Sequence, residues 1–161
     1  MEKKREIKTG TFAENRRATY DYDILSRFEA GLVLNGQEVK SIQNRRAMIA
    51  GAQVLFRGGI AYLIGADIQA YQPSNAPDYD PLRTRALLLN KKEVQELFEA
   101  SEQKLTLIPL KLYNKGSRIK VEIGIARKRK KSDKREVLKK KADVREAKAT
   151  IGRSPKGYSD L

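Results

Sequence analysis

The chain has 161 residues, 34 Lys plus Arg against 20 Asp plus Glu, a net charge of +14, and neither Cys nor His. That length suits one domain, and the missing Cys excludes disulfides, thiolate zinc sites and a Cys nucleophile. The missing His removes the commonest general base and metal ligand, while the charge excess points to a polyanionic partner, nucleic acid ahead of an anionic membrane.

In chain order, Met1-Glu2-Lys3-Lys4-Arg5 opens a basic segment with no apolar stretch behind it. No secretory signal is therefore expected, and no run of 18 apolar residues exists to span a membrane. The expected location is cytoplasmic. A helical turn precedes Tyr20, and a strand covers residues 20–28, continuing through 31–34 beyond a kink at Gly31. Residues 37–46 form a helix, with Val39 and Ile42 three apart. Val54, Leu55 and Phe56 run into Arg57-Gly58-Gly59, and Ile60, Tyr62 and Ile64 then alternate, which predicts a hairpin. Pro73, Pro77 and Pro81 mark a long loop. Residues 86–89 are wholly apolar and fit a strand buried on both faces.

A second helix starts at Asn90-Lys91-Lys92-Glu93, a capping-box pattern, with Val94, Leu97 and Phe98 behind it. Residues 105–113 and 118–127 form the last hairpin around Asn114-Lys115-Gly116-Ser117. In its second strand Ile119, Val121, Ile123 and Ile125 point inward, and Arg118, Lys120, Glu122 and Gly124 outward. In the first strand the apolar phase shifts beside Pro109, so an edge or a bulge is expected there. These elements make a mainly β protein, an OB-fold-like antiparallel β-barrel with about three short helices.

The charge is uneven. Residues 1–127 hold 21 basic and 15 acidic residues, a net of +6, and residues 128–161 hold 13 and 5, a net of +8. The second segment has only Val137, Leu138, Val144, Ile151 and Leu161 as large aliphatic residues. That is too little apolar surface to offset ordering entropy, so a tail disordered when free is expected. Residues 134–148 nevertheless lack Gly and Pro, and Val137, Val144 and Ile151 recur at a helical spacing. The reading is a basic segment that folds into a helix on its partner.

No catalytic constellation emerges. Gly58-Gly59 belongs to a hairpin turn and not to a phosphate loop, and Asp78 and Asp80 suit turn formation better than a metal. A nuclease built on Glu29, Glu38 or Asp80 is the enzyme alternative. A non-enzymatic protein without metal or cofactor is expected. Arg16-Arg17, Arg45-Arg46, Arg83 with Arg85, and Lys115, Arg118 and Lys120 suit phosphate contacts. A carboxylate among them can accept from base amino groups or orient a neighbouring cation.

Several segments, in order, carry a family resemblance: Asn15-Arg16-Arg17-Ala18, Phe28-Glu29-Ala30-Gly31, Gly36-Gln37-Glu38-Val39-Lys40-Ser41, Asp80-Pro81-Leu82-Arg83-Thr84-Arg85, Leu87-Leu88-Leu89, Lys120-Val121-Glu122-Ile123-Gly124 and Asp133-Lys134-Arg135. The chain resembles the small protein B family of bacterial tmRNA-binding proteins, also called SsrA-binding proteins. The resemblance implies a monomeric adaptor that binds the tRNA-like domain of tmRNA and delivers it to stalled ribosomes in trans-translation. By that resemblance Glu29, Leu88 and Lys120 match positions that bind tmRNA, and Asn15, Glu38 and Lys40 match further motif positions, which fold support explains equally well. With the basic groups, the expected RNA-binding set is Asn15, Arg16, Arg17, Glu29, Glu38, Lys40, Arg83, Arg85, Leu88 and Lys120. The tail, through Lys130, Lys131, Asp133, Lys134, Arg135, Lys139, Lys140, Lys141 and Arg145, is implied to enter the decoding centre and mRNA channel of the small subunit. Many members have a His where this chain has Tyr20, and Gly152 limits the tail helix to about Ile151. The expected organisation is a flexible basic N-terminus over 1–12, an RNA-binding barrel over 13–127 and a basic tail over 128–161. The alternative is a general RNA-binding or structural ribosomal protein.

Overall fold

The computed structural model describes residues 10–130, 135 and 138–142. The chain divides into two units, one ending at Lys128 and one beginning at Arg129. In the second, Arg135 and residues 138–142 are helical and exposed, including Lys139, Lys140 and Lys141. Lys130 is exposed. Lys131, Asp133, Lys134, Arg145, the helix limit at Ile151 and the N-terminal segment 1–9 lie outside the described residues.

The first unit is built on a seven-stranded antiparallel sheet. Its strands are β1 (Thr11–Glu14), β2 (Tyr22–Leu32), β4 (Gln53–Arg57), β5 (Ile60–Ile64), β7 (Arg85–Leu88), β8 (Thr106–Lys115) and β9 (Arg118–Lys128), in the order β1-β8-β9-β2-β7-β5-β4. Two short strands, β3 (Ala47–Met48) and β6 (Asp67–Ile68), pair separately. The α-helices are α1 (Ala18–Asp21), α2 (Gly36–Gln43) and α3 (Lys91–Glu102), and Pro73–Asn75 forms a 3-10 turn. The mainly antiparallel β architecture is as expected, but the barrel is not closed. The sheet curls until β4 lies near β8, yet β1 and β4 remain edges without a ladder joining the ends.

The period-two pattern of β9 holds. Ile119, Val121, Ile123 and Ile125 are buried in the main core with Leu63, Leu97, Leu112 and Ile42. In β8 the phase shift at Pro109 is a bulge between Pro109 and Lys111, and not an edge, because β8 pairs with β1 on one side and β9 on the other. The bulge turns Ile108 and Leu110 to the opposite face, where α1 brings Ala18 against them beside Ala126. Gly124 lets these side chains pack closely, because a Cβ would lie 3.1 Å from Leu110 Cδ1 and 3.3 Å from Ile24 Cγ2.

Four expectations are corrected. Strand β1 takes in Thr11 and Phe12 from the segment expected to be flexible, and Phe12 is buried in the core. The chain runs through Gly31 inside β2 without a break. Helix α2 ends at Gln43, short of residue 46, because Arg45 turns to a left-handed φ of 60° and the Arg45 N–H bonds the Ile42 carbonyl. Strand β7 is not buried on both faces: Leu87 is buried, whereas Leu88 is 60% exposed.

Candidate nucleic-acid interface

Strand register assembles the site. Gly31 on β2 pairs with Leu88 on β7 and with Lys120 on β9, and Lys120 pairs with Tyr113 on β8. Leu88, Gly31, Lys120 and Tyr113 therefore form one row across four strands, with side chains on a single face. One row along, Glu29 pairs with Glu122, and Glu122 with Lys111. Gly31 keeps this surface low: a Cβ there would sit 3.2 Å from Leu88 Cβ and 3.6 Å from Lys120 Nζ.

The charges on this face are organised. Glu29 accepts a short hydrogen bond from the Tyr113 hydroxyl and another from Lys115 Nζ at 3.0 Å. The Tyr113 bond first, then Lys115, hold the Glu29 carboxyl below its ordinary range, and Lys120 adds a weaker attraction. Burial and the Glu29 hydrogen bond push the Tyr113 hydroxyl up, so it stays a donor. Glu122 takes Arg27 at 2.8 Å and Lys111 at 3.6 Å, and Lys111 also lies 5.3 Å from the centre of the Tyr113 ring. The result is a basic surface with two anchored carboxylates and one exposed apolar side chain. Such a surface suits RNA, which offers phosphates to the cations, donors to the carboxylates and bases or ribose to the apolar group.

Other expected RNA contacts lie elsewhere. Glu38 and Arg85, both in the expected RNA-binding set, are 0% exposed, and for Glu38 this burial fits the fold-support alternative. Arg85 Nε donates to Glu38 Oε2 at 2.5 Å, and its other nitrogens donate to the carbonyls of Ala66 and Pro81. Glu38 also completes the α2 capping box with Asn35, a pattern missed in the sequence although its twin at Asn90 was read there. Burial alone would raise the Glu38 carboxyl, but hydrogen bonds from Arg83, the Asn35 N–H and Arg85 outweigh it and hold it low. Arg83 straddles the boundary: it bonds Glu38 and the Val33 carbonyl, yet its side chain is 41% exposed.

Asn15 acts as a latch on the β8 bulge. Its Nδ2 donates to the Pro109 carbonyl at 3.1 Å and its backbone N–H to the Leu110 carbonyl at 2.8 Å. Arg16 and Arg17 beside it are exposed, and Arg16 approaches Glu14 at 3.7 Å. Lys40 is exposed and lies 5.4 Å from the centre of the Tyr71 ring, at a cleft lined also by Asn35, Gln37 and Tyr79. Among the described residues no helix is long and apolar enough to cross a membrane.

Sequence reasoning missed Tyr113, Gly31, Arg27 and Lys111 as members of the sheet face. Their signal is register: once the bulge is placed, the odd-numbered residues 111, 113 and 115 share the outer face with Lys120 and Glu122.

Comparisons with known proteins place the chain in a family. The "SmpB protein" family matches residues 12–153. An SsrA-binding protein of Staphylococcus epidermidis is 46% identical over 147 residues, 91% of this chain and 94% of that one. One of Gloeothece citriformis is 45% identical over 148 residues, 91% of this chain and 96% of that one. A chain in the solved structure described as "tmRNA-SmpB: a journey to the center of the bacterial ribosome" is 41% identical, with a TM-score of 0.63, covering 78% of this chain and 92% of that chain. Matched in sequence over both the sheet face and the buried Glu38–Arg85 pair, and in fold at 41% identity, the chain belongs to the SmpB family.

Proposed function

We propose that this protein is a tmRNA-binding adaptor of trans-translation. It binds the tRNA-like domain of tmRNA through the first unit and engages stalled ribosomes through the basic tail. The observation that carries this reading is the row Leu88–Gly31–Lys120–Tyr113 with Glu29 beside it, in a chain of the SmpB family. Arg16, Arg17, Lys40 and the exposed edge of Arg83 supply further phosphate contacts. Asn15, Glu38 and Arg85 serve the interface indirectly by holding the strands and α2. The tail, from Lys130 through Lys131, Asp133, Lys134, Arg135, Lys139, Lys140, Lys141 and Arg145, threads into the decoding centre and mRNA channel. The protein acts as a cytoplasmic monomer, without catalytic group, metal or cofactor.

The test is a titration of the full chain against tmRNA, an unrelated tRNA and ribosomes at two salt concentrations. Specific recognition keeps its preference for tmRNA as salt rises, whereas a pure polyelectrolyte term does not. Removing residues 129–161 should leave tmRNA affinity nearly intact and abolish peptide tagging on stalled ribosomes. Equal binding to every RNA, with co-sedimentation on all ribosomes, would instead favour a structural ribosomal protein.

A further inference from the structure

A carboxylate at the centre of an RNA-binding surface needs an explanation, because it repels phosphate. Glu29 is not an accident of exposure: the hydroxyl of Tyr113 and the ammonium of Lys115 both bind it, and both come from β8, which is separated from β2 by the whole width of β9. Two donors from one strand fix the carboxylate in position and orientation. They use one site on each oxygen, Oε2 for Tyr113 and Oε1 for Lys115. An ionised carboxylate offers about four acceptor sites, so two remain open on a face whose neighbours are Lys120 and Leu88, which cover the buried Gly31. Lys111 against the Tyr113 ring braces the donor in turn.

We infer that Tyr113 is a positioning residue for Glu29, and that the pair forms an acceptor subsite for a hydrogen-bond donor of the bound RNA. The donor is a base N–H or a ribose 2′-hydroxyl, and the neighbouring Lys120 takes the adjoining phosphate. This deepens the functional reading above and rests on it. Its physical content is preorganisation: a carboxylate already held in place loses little freedom when the RNA donor arrives. An anchored acceptor also discriminates, since an RNA lacking the donor leaves a desolvated carboxylate site unmatched. Glu29 faces Tyr113 and Lys115 from β8, Lys120 and Glu122 from β9, and Arg27 two residues away on β2.

The experiment uses the full chain and the tRNA-like domain of tmRNA, with Tyr113→Phe, Glu29→Ala and the double variant. Phe keeps the ring that Lys111 covers, so the fold should survive. Loss of one neutral hydroxyl should weaken binding about threefold to tenfold, the range of one net hydrogen bond. The slope of affinity against salt should not change, because no cation has been removed. Glu29→Ala should weaken binding although it deletes a repelling charge, and the double variant should bind no worse than Glu29→Ala alone. In the free protein, an NMR titration of the Glu29 carboxyl should move to higher pH in Tyr113→Phe, which a merely packing role for the ring would not produce. Lys115→Met, which removes the second donor, should move it the same way and provides the reading if Tyr113→Phe folds poorly. On an RNA with 2′-deoxy substitutions, loss of the difference between parent and Glu29→Ala identifies the ribose hydroxyl as donor; a retained difference identifies a base N–H.

Unchanged affinity in Tyr113→Phe, additive losses in the double variant, or tighter binding by Glu29→Ala would each overturn the inference while leaving the adaptor reading intact. Failure of the parent protein to prefer this RNA over an unrelated tRNA would instead remove the functional reading, and the subsite with it.

Discussion

Glu29 and Glu38 have the same side chain, and each is held by hydrogen bonds from its neighbours, but the two carboxylates do opposite work. Glu38 has no exposed surface and is enclosed by Arg83, Arg85 and the N-cap of α2. Glu29 sits on an open sheet face, with Tyr113 and Lys115 on one side and room on the other. The difference is burial. In the interior every acceptor site must be filled by the protein itself, because an unpaired buried charge costs several kcal/mol. On the surface the unfilled sites are affordable, and they are what a ligand can use. The same distinction separates Arg85, which is locked to two carbonyls and Glu38, from Lys120, whose role is open to a partner.

The largest effect should come from breaking the buried pair. Glu38→Ala leaves Arg85 charged in the core with only the Ala66 and Pro81 carbonyls as partners, and Arg85→Ala leaves Glu38 buried with only Arg83 and the Asn35 N–H. Each should lose about 3–5 kcal/mol in urea unfolding, with RNA binding failing only as the fold does. Acid should act on the same pair. The Glu38 carboxyl is lowered in the folded state, so its stabilisation is complete above the unfolded value of about 4.3 and is lost as pH falls through the lower folded value. Unfolding curves of the parent should therefore steepen below about pH 4, and Glu38→Gln, already short of that stabilisation, should show a flatter acid limb.

The row on the outer sheet face should respond in the opposite sense. Lys120→Ala is expected to weaken tmRNA binding by about 1–3 kcal/mol for a desolvated charged contact, and to lower the salt slope by about 0.7–0.9 for one phosphate. Its unfolding free energy should stay within about 0.5 kcal/mol of the parent. Leu88→Ala makes a sharper comparison, because Leu87 next to it is buried. Leu88→Ala should reduce binding and spare stability, whereas Leu87→Ala should cost about 2–5 kcal/mol of stability as a core truncation. Equal stability losses at both positions would erase the distinction between the two faces of β7.

That distinction at residues 87 and 88 was hidden in the sequence. Leu87-Leu88-Leu89 reads as continuous core, and only the ladder to Gly31 shows that the middle residue looks outward. Strand β9 was legible because its alternation is unbroken, and α3 because its capping box and apolar stripe are local. The curl without closure was not, since it depends on how two edge strands sit after a long path. Arg83 and Arg85 looked like a surface pair because charge is the default signal of exposure; what overrules it is Glu38, 47 residues from Arg85 along the chain. Glu29, Lys120 and the exposed Arg16 and Arg17 were legible as polar positions on outward phases. Tyr113 was not, because its relation to Glu29 crosses an intervening strand and passes a bulge.

The smallest expected effect concerns a cation held in a third way. Arg45 ends α2 at φ 60°, a conformation that L side chains avoid, and its Nη1 donates to the Thr11 carbonyl at 2.7 Å. The left-handed backbone costs about 1–2 kcal/mol for a residue with a Cβ. Glycine removes that cost but adds about 0.4–1 kcal/mol of unfolded-state entropy, and it forfeits one exposed hydrogen bond. Arg45→Gly should therefore unfold within about 0.5 kcal/mol of the parent on these opposing terms. Arg45→Ala keeps the strain and loses the bond, so it should be the less stable of the two by urea titration. If Arg45 is there for its charge, both variants should lose RNA affinity equally and show a shallower salt slope, whatever their order of stability. If it is there only to tie α2 to β1, Arg45→Gly should bind RNA as the parent does. The backbone strain then has no return in function, and the guanidinium belongs with Arg85 as part of the scaffold and not with Lys120 as part of the interface.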